Sequence, residues 1–269
     1  MKFVSTILLY VVLNGLVSGN HVSADLLASD SFSYPDGGVL AGNNGGTGWS
    51  GAWATVAGTV APTVAGGLGQ SAHSNTGPSG TFVSSQASRM LTATRGDGTT
   101  TWIRFSGGAN NVPNSENFGG LGLYENAGER VLFGKVWQRD GNWAIFSSGD
   151  NLTSVPITPT LSDVWVKIVN GAGNTDSAFM WVNPIDTSSE AALGPAMASV
   201  TDRNLNFNSV LLRSGSQIFP FVVTYQFDNL LIGDSFASIP EPASPIMLVL
   251  ISIAAVGTRR RRLAELRNN

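Results

Sequence analysis

Between residues 25 and 239 the apolar positions recur at every second residue, the period of strands whose side chains point to opposite faces. Thr101-Trp102-Ile103-Arg104-Phe105 puts Ile103 and Phe105 on one face and Arg104 on the other. Runs of the same kind are Gly120–Tyr124, Arg130–Val136, Trp143–Phe146, Val164–Val169, Ala178–Val182, Asn208–Arg213 and Tyr225–Gly233. Asp140-Gly141, between Val136-Trp137 and Trp143, is a hairpin signal. No stretch in this span sustains a helical period, and Gly, Asn and Thr are scattered between the runs as turns. The pattern predicts an all-β domain of antiparallel strands in two packed sheets, a β-sandwich over residues 25–238.

The two ends break this rhythm. Lys2 precedes the apolar run Ile7–Leu13, and Val22-Ser23-Ala24 supplies small residues in a V-x-A pattern, so residues 1–24 read as a secretory signal peptide. At the other end Ile239-Pro240-Glu241-Pro242-Ala243-Ser244 leads into the apolar run Ile246–Gly257 and then Arg259-Arg260-Arg261-Arg262. From Pro245 to Thr258 the run is fourteen residues, a short hydrophobic helix. A full span takes about twenty residues, which makes this one a marginal anchor. The arginines favour the cytoplasmic side, and Pro240 and Pro242 hold the peptide around Glu241 extended. Taken alone, these residues fit a plain C-terminal membrane anchor as well as a processing signal.

Pro-Glu-Pro, an apolar run and an arginine cluster, in that order, resemble the PEP-CTERM sorting signal of exported bacterial proteins. The resemblance implies that residues 239–269 are cut near Pro-Glu-Pro by an exosortase, a membrane-embedded cysteine transpeptidase. Pro240, Glu241 and Pro242 would be its recognition residues, with Arg259, Arg260, Arg261 and Arg262 completing the signal. The implied partners are the exosortase, the general secretion machinery and, before processing, the membrane. The implied location is the cell envelope or the extracellular space. Asp30-Ser31-Phe32-Ser33-Tyr34-Pro35 and Gly45–Trp53 look like the start of many such proteins. Trp165-Val166-Lys167-Ile168 with Phe179–Pro184 is similar to laminin-G or concanavalin-like jelly rolls, and Phe227–Gly233 resembles their last strand. That likeness implies a jelly roll whose first and last strands pair.

Charge narrows the partners. Residues 25–239 hold nine Lys or Arg against sixteen Asp or Glu, a net of −7, which argues against nucleic acid. The absence of cysteine excludes a disulfide framework, a cysteine nucleophile and thiolate metal sites.

Candidate chemistry is sparse. Glu125 and Glu129 flank a turn, without the Glu-x-Asp-x-x-Glu strand of related jelly-roll glycanases, and read as solvated turn charges. His21 falls in the signal peptide, and His73 lies in a Gly/Ser-rich stretch without a nucleophile partner. Asp30 and Asp228 are weak candidates for a structural calcium ion; no other cofactor is indicated. Trp137 and Trp143, across one predicted hairpin, are the candidate glycan-stacking pair, and core packing is the competing reading for each tryptophan. Asn151-Leu152-Thr153 fits a glycosylation sequon. The resulting expectation is an exported, non-enzymatic structural component of the envelope or polysaccharide matrix. A lectin-like glycan-binding module is the alternative, and a glycoside hydrolase ranks last for want of paired carboxylates.

Overall fold

The computed structural model describes residues 24–72, 83–216 and 223–240. The apolar run of the signal peptide, both histidines, Glu241, Pro242, the C-terminal apolar run and Arg259–Arg262 lie outside the described residues. Among those described, no helix is long and apolar enough to cross a membrane.

The strands are β1 (Leu26–Asp30), β2 (Ala54–Thr55), β3 (Thr63–Ala65), β4 (Leu68–Ala72), β5 (Val83–Arg95), β6 (Thr100–Ala109), β7 (Asn117–Glu125) and β8 (Gly128–Lys135). They continue as β9 (Asn142–Phe146), β10 (Asp150–Pro156), β11 (Ser162–Val169), β12 (Asp176–Val182), β13 (Ala198–Arg203), β14 (Phe207–Ser216) and β15 (Thr224–Gly233). One sheet runs β13-β12-β11-β6-β15-β4-β3, with β1 also paired to β15; the other runs β10-β9-β8-β7-β14-β5-β2. Pairing between the named strands is antiparallel throughout, and the protein is a two-sheet β-sandwich. The first and last strands pair, Leu26 opposite Gly233, as the resemblance implied.

The inner faces bury the alternating residues seen in the sequence. Ile103, Phe105, Val164, Val166, Met180 and Ile232 from one sheet meet Leu121, Leu123, Phe133, Ile145, Val210 and Leu212 from the other. Every strand expected from alternation is present. The longest strand, β5, escaped that reading because its inward positions are Ser85, Ala87, Arg89 and Leu91, half of them polar.

Arg89 is tolerated there because Asp30 meets it. Its Nη1 lies 2.6 Å from Asp30 Oδ2, with both side chains 1% exposed. Trp53 Nε1 (2.8 Å) and the Tyr34 hydroxyl (2.6 Å) donate to the same oxygen, and the Phe32 amide donates to Oδ1 at 2.8 Å. Arg89 also donates to the Gly51 carbonyl and to Asn44 Oδ1, and its guanidinium lies 4.9 Å from the Trp49 ring centre. The long connection from Ser31 to Trp53 is thus folded back onto β5 by one buried ion pair. Gly46 and Gly48 let it pass over β1. At φ 74° and 79°, a Cβ there would sit 1.8 Å from the Ser29 carbonyl oxygen and 1.7 Å from that of Leu27. This accounts for the Gly-Gly-Thr-Gly-Trp segment in structural terms.

The outer face of the larger sheet is covered by the chain itself. Trp102, Trp165 and Trp181 cluster with Leu193 and Ile239. Phe236 stacks on Trp165 at 5.2 Å and meets Trp102 edge-on at 5.1 Å. Ile239 is 3% exposed, so this packing continues beyond residue 238.

Candidate functional site

The outer face of the smaller sheet is open. Gly120 and Gly122 of β7 alternate with the inward-facing Leu121 and Leu123, and the Tyr124 ring lies over Gly122. This face carries a groove of about 340 Å³. It is lined by Phe118 of β7, Glu129 and Leu132 of β8, Phe146 of β9, Asp150 of β10, Arg213 of β14, and Val136 and Trp137 just after β8. Trp137 stands on the rim, 38% exposed.

The charged groups of the groove are ordered by one another. The Tyr124 hydroxyl donates to Glu129 Oε2 at 2.6 Å and accepts from Arg213 Nη1 at 3.1 Å, while Arg213 forms an ion pair with Glu129. The Arg213 guanidinium also lies 4.6 Å from the Phe118 ring centre. Asp150 is paired with Arg139. Burial pushes the Tyr124 hydroxyl well above the ordinary tyrosine value, Arg213 opposing and Glu129 reinforcing the shift, so this phenol keeps its proton at working pH. Aromatic rings suited to the C–H faces of sugars therefore stand beside two carboxylates, Glu129 and Asp150, from different strands.

Several sequence expectations need correction. Trp143 is not a surface residue: it is 2% exposed on the inner side of β9, packed against Phe105 at 6.0 Å and over Gly107, so only Trp137 of the expected pair can touch a ligand. Glu129 is not a solvated turn charge, because Tyr124 and Arg213 hold it in the groove. Glu125 instead pairs with Arg130, outside the groove lining.

Asp30 and Asp228 do not form a calcium site. The carboxylate of Asp30 is taken up by Arg89, Trp53, Tyr34 and the Phe32 amide, and Asp228 accepts from the Asn229 amide and side chain. Burial, with a lesser push from Asp30, raises the Asp228 carboxyl above its usual value. Among the described residues no group of three or more His, Asp or Glu could hold a metal ion. Of the sorting residues only Pro240 is described; it is exposed, and its carbonyl accepts from Arg104 Nη1 at 2.9 Å.

Tyr124, Arg213 and Asp150 were not singled out from the sequence. The signal for the first two was present, since Leu123 and Leu212 are their inward neighbours. Asp150 gave none, because β10 has no apolar alternation.

No family model matches the chain. No curated protein matches it either. Solved structures of similar fold include the endo-β-1,4-glucuronan lyase from the fungus Trichoderma reesei, at 8% identity and TM-score 0.43, covering 76% of this chain and 98% of that one. A β-1,3-glucanase from Mycobacterium marinum gives 8% identity and TM-score 0.48, covering 78% and 99%. The alginate lyase AlgAT5 of polysaccharide lyase family 7 gives 10% and 0.43, covering 66% and 83%. These neighbours are named as glycan-processing enzymes, and the expectation of a non-enzymatic structural component is corrected where its ground, the want of paired carboxylates, fails: Glu129 and Asp150 line one groove. Likeness at this level assigns no activity, which has to come from the groove itself.

Proposed function

We propose that the domain is a glycan-processing enzyme that lays a polysaccharide across the outer face of the smaller sheet and cleaves it beside Glu129 and Asp150. The observation that carries this is that two carboxylates from different strands line one groove with Phe118, Phe146 and Trp137. Cleavage of a glycosidic bond calls for one group to protonate the leaving oxygen and another to act as base or nucleophile, and a carboxyl pair across the sugar can do both. Tyr124 and Arg213 position Glu129 between them.

The test is release of new reducing ends from a panel of soluble polysaccharides. Activity that falls about a hundredfold or more in both Glu129→Gln and Asp150→Asn, each still folded by circular dichroism, supports the reading. Unsaturated ends in place of hydrolysed ones would transfer the chemistry to elimination. Full activity in both variants would overturn the carboxylate assignment.

Delivery forms a second part of the proposal. Residues 1–24 act as an export signal, and residues 239–269, with their short hydrophobic helix, as a sorting segment cut near Pro240-Glu241-Pro242 by an exosortase. Support comes from the order Pro-Glu-Pro, apolar run, Arg259–Arg262. Mature protein recovered from the envelope should end near Pro240–Ala243; intact arginine tails on every molecule would leave only a membrane anchor.

A further inference from the structure

Resting on the glycan reading above, we infer that the polymer bound in this groove is uncharged. Every positive charge of the domain is already engaged. Residues 25–239 contain nine Lys or Arg, and all nine are described.

Six are committed to carboxylates: Arg89 to Asp30, Arg104 to Asp163, Arg130 to Glu125, Arg139 to Asp150, Lys167 to Glu190 and Arg213 to Glu129. The other three are spent on the fold. Arg95 donates to the Thr101 hydroxyl and the Thr100 carbonyl, both at 2.9 Å. Arg203 donates to the carbonyls of Ser147 and Asp202. Lys135 is fully buried and donates to the carbonyls of Val136 and Ser115. Sixteen Asp or Glu oppose these nine cations, so the domain carries net negative charge.

A polyuronate or sulfated glycan presents an anion on successive sugars and needs a cation for each one it buries. The one arginine lining this groove, Arg213, already faces Glu129, and Asp150 is paired with Arg139 from outside the lining, so an anionic sugar would compete with Glu129 for Arg213 and be opposed by the two carboxylates. What the groove offers without such a break is apolar and aromatic surface: Phe118, Leu132, Val136, Trp137 and Phe146. That surface matches the C–H faces of neutral pyranose rings.

The experiment is affinity electrophoresis and calorimetry of the whole exported domain. The probes are a neutral β-glucan, a neutral mannan, alginate and a sulfated galactan, at about 50 and about 500 mM salt. The expected result is retention by at least one neutral polymer with a Kd that changes less than about twofold between the two salts, as contacts without net ion pairing require. It should weaken about tenfold or more in Trp137→Ala. Alginate or sulfated galactan should be retained at neither salt. Tight, salt-sensitive binding of either anionic polymer, lost in Arg213→Met or Arg139→Ala, would overturn the inference while leaving a glycan function intact. Failure of all four polymers to bind and be cleaved would overturn the inference and the glycan reading together.

Discussion

The two outer faces of this sandwich both carry aromatic rings and treat them in opposite ways. On the larger sheet Trp102, Trp165 and Trp181 are sealed by Phe236, Ile239 and Leu193 from the same chain. On the smaller sheet Phe118, Phe146 and Trp137 surround a groove of about 340 Å³. On the larger sheet the partly exposed Asp163 is bound twice by Arg104 and once by Trp165 Nε1. Glu129 is bound by Tyr124 and Arg213 at the edge of open space. Aromatic content alone therefore says nothing about function; whether the chain returns to cover it does.

The comparison is broken most sharply by truncating one aromatic on each face. Trp165→Ala removes a fully buried ring from the covered face and should cost about 3–5 kcal/mol in denaturant unfolding, without specific loss of glycan affinity in the fraction that remains folded. Trp137→Ala, on the open rim, should cost less than about 1 kcal/mol in stability while removing most of the binding. Equal stability losses at the two sites would erase the distinction between a structural and a functional aromatic face.

A smaller effect is expected at the strap. Arg104→Ala removes the bidentate bond to Asp163 and the 2.9 Å bond to the Pro240 carbonyl. At this partly exposed pair it should cost about 1–2 kcal/mol. Its more specific signature is proteolytic: residues 234–240 should become cleavable under conditions where the parent domain ends at Pro240 or later. An unchanged cleavage pattern would mean that Phe236 and Ile239 hold the strap without Arg104.

What could be read from sequence divides along similar lines. Strands with apolar inner faces, such as β6, β11 and β12, were plain from alternation, and so was the two-sheet class. Strand β5 was hidden because its inner face carries Arg89, and nothing local announces that Asp30, 59 residues away, will neutralise it. The groove was hidden for a related reason. Glu129 and Asp150 are 21 positions apart and share a site only because β8, β9 and β10 lie side by side. A carboxyl pair made across strands leaves no spacing to search for, whereas one made along a strand does. Hairpin context does not mean exposure: Trp143 sits beside the turn, yet its position in β9, in phase with the inward Ile145, turns it into the core.

The interior between the two faces has its own, smallest signature. Lys135 is wholly buried, and that burial lowers its ammonium from the ordinary value to about 8, against the opposing pull of Glu116 and Asp140. Between about pH 8 and the ordinary lysine value the unfolded chain binds more protons than the folded one, so stability rises with pH across that window. Two tyrosines act in the opposite sense at higher pH: the partly buried Tyr34, raised to about 12, and the buried Tyr225, also raised, keep protons that the unfolded chain begins to lose near pH 10. The two effects separate if unfolding is measured at about pH 8 and about pH 9.5. The parent domain should gain stability over that interval, and Lys135→Met, which keeps the volume and removes the charge, should gain less or none. Identical gains in both would mean that Lys135 stays charged on the carbonyls of Val136 and Ser115, and that the smaller sheet bears a buried cation beneath its groove at every working pH.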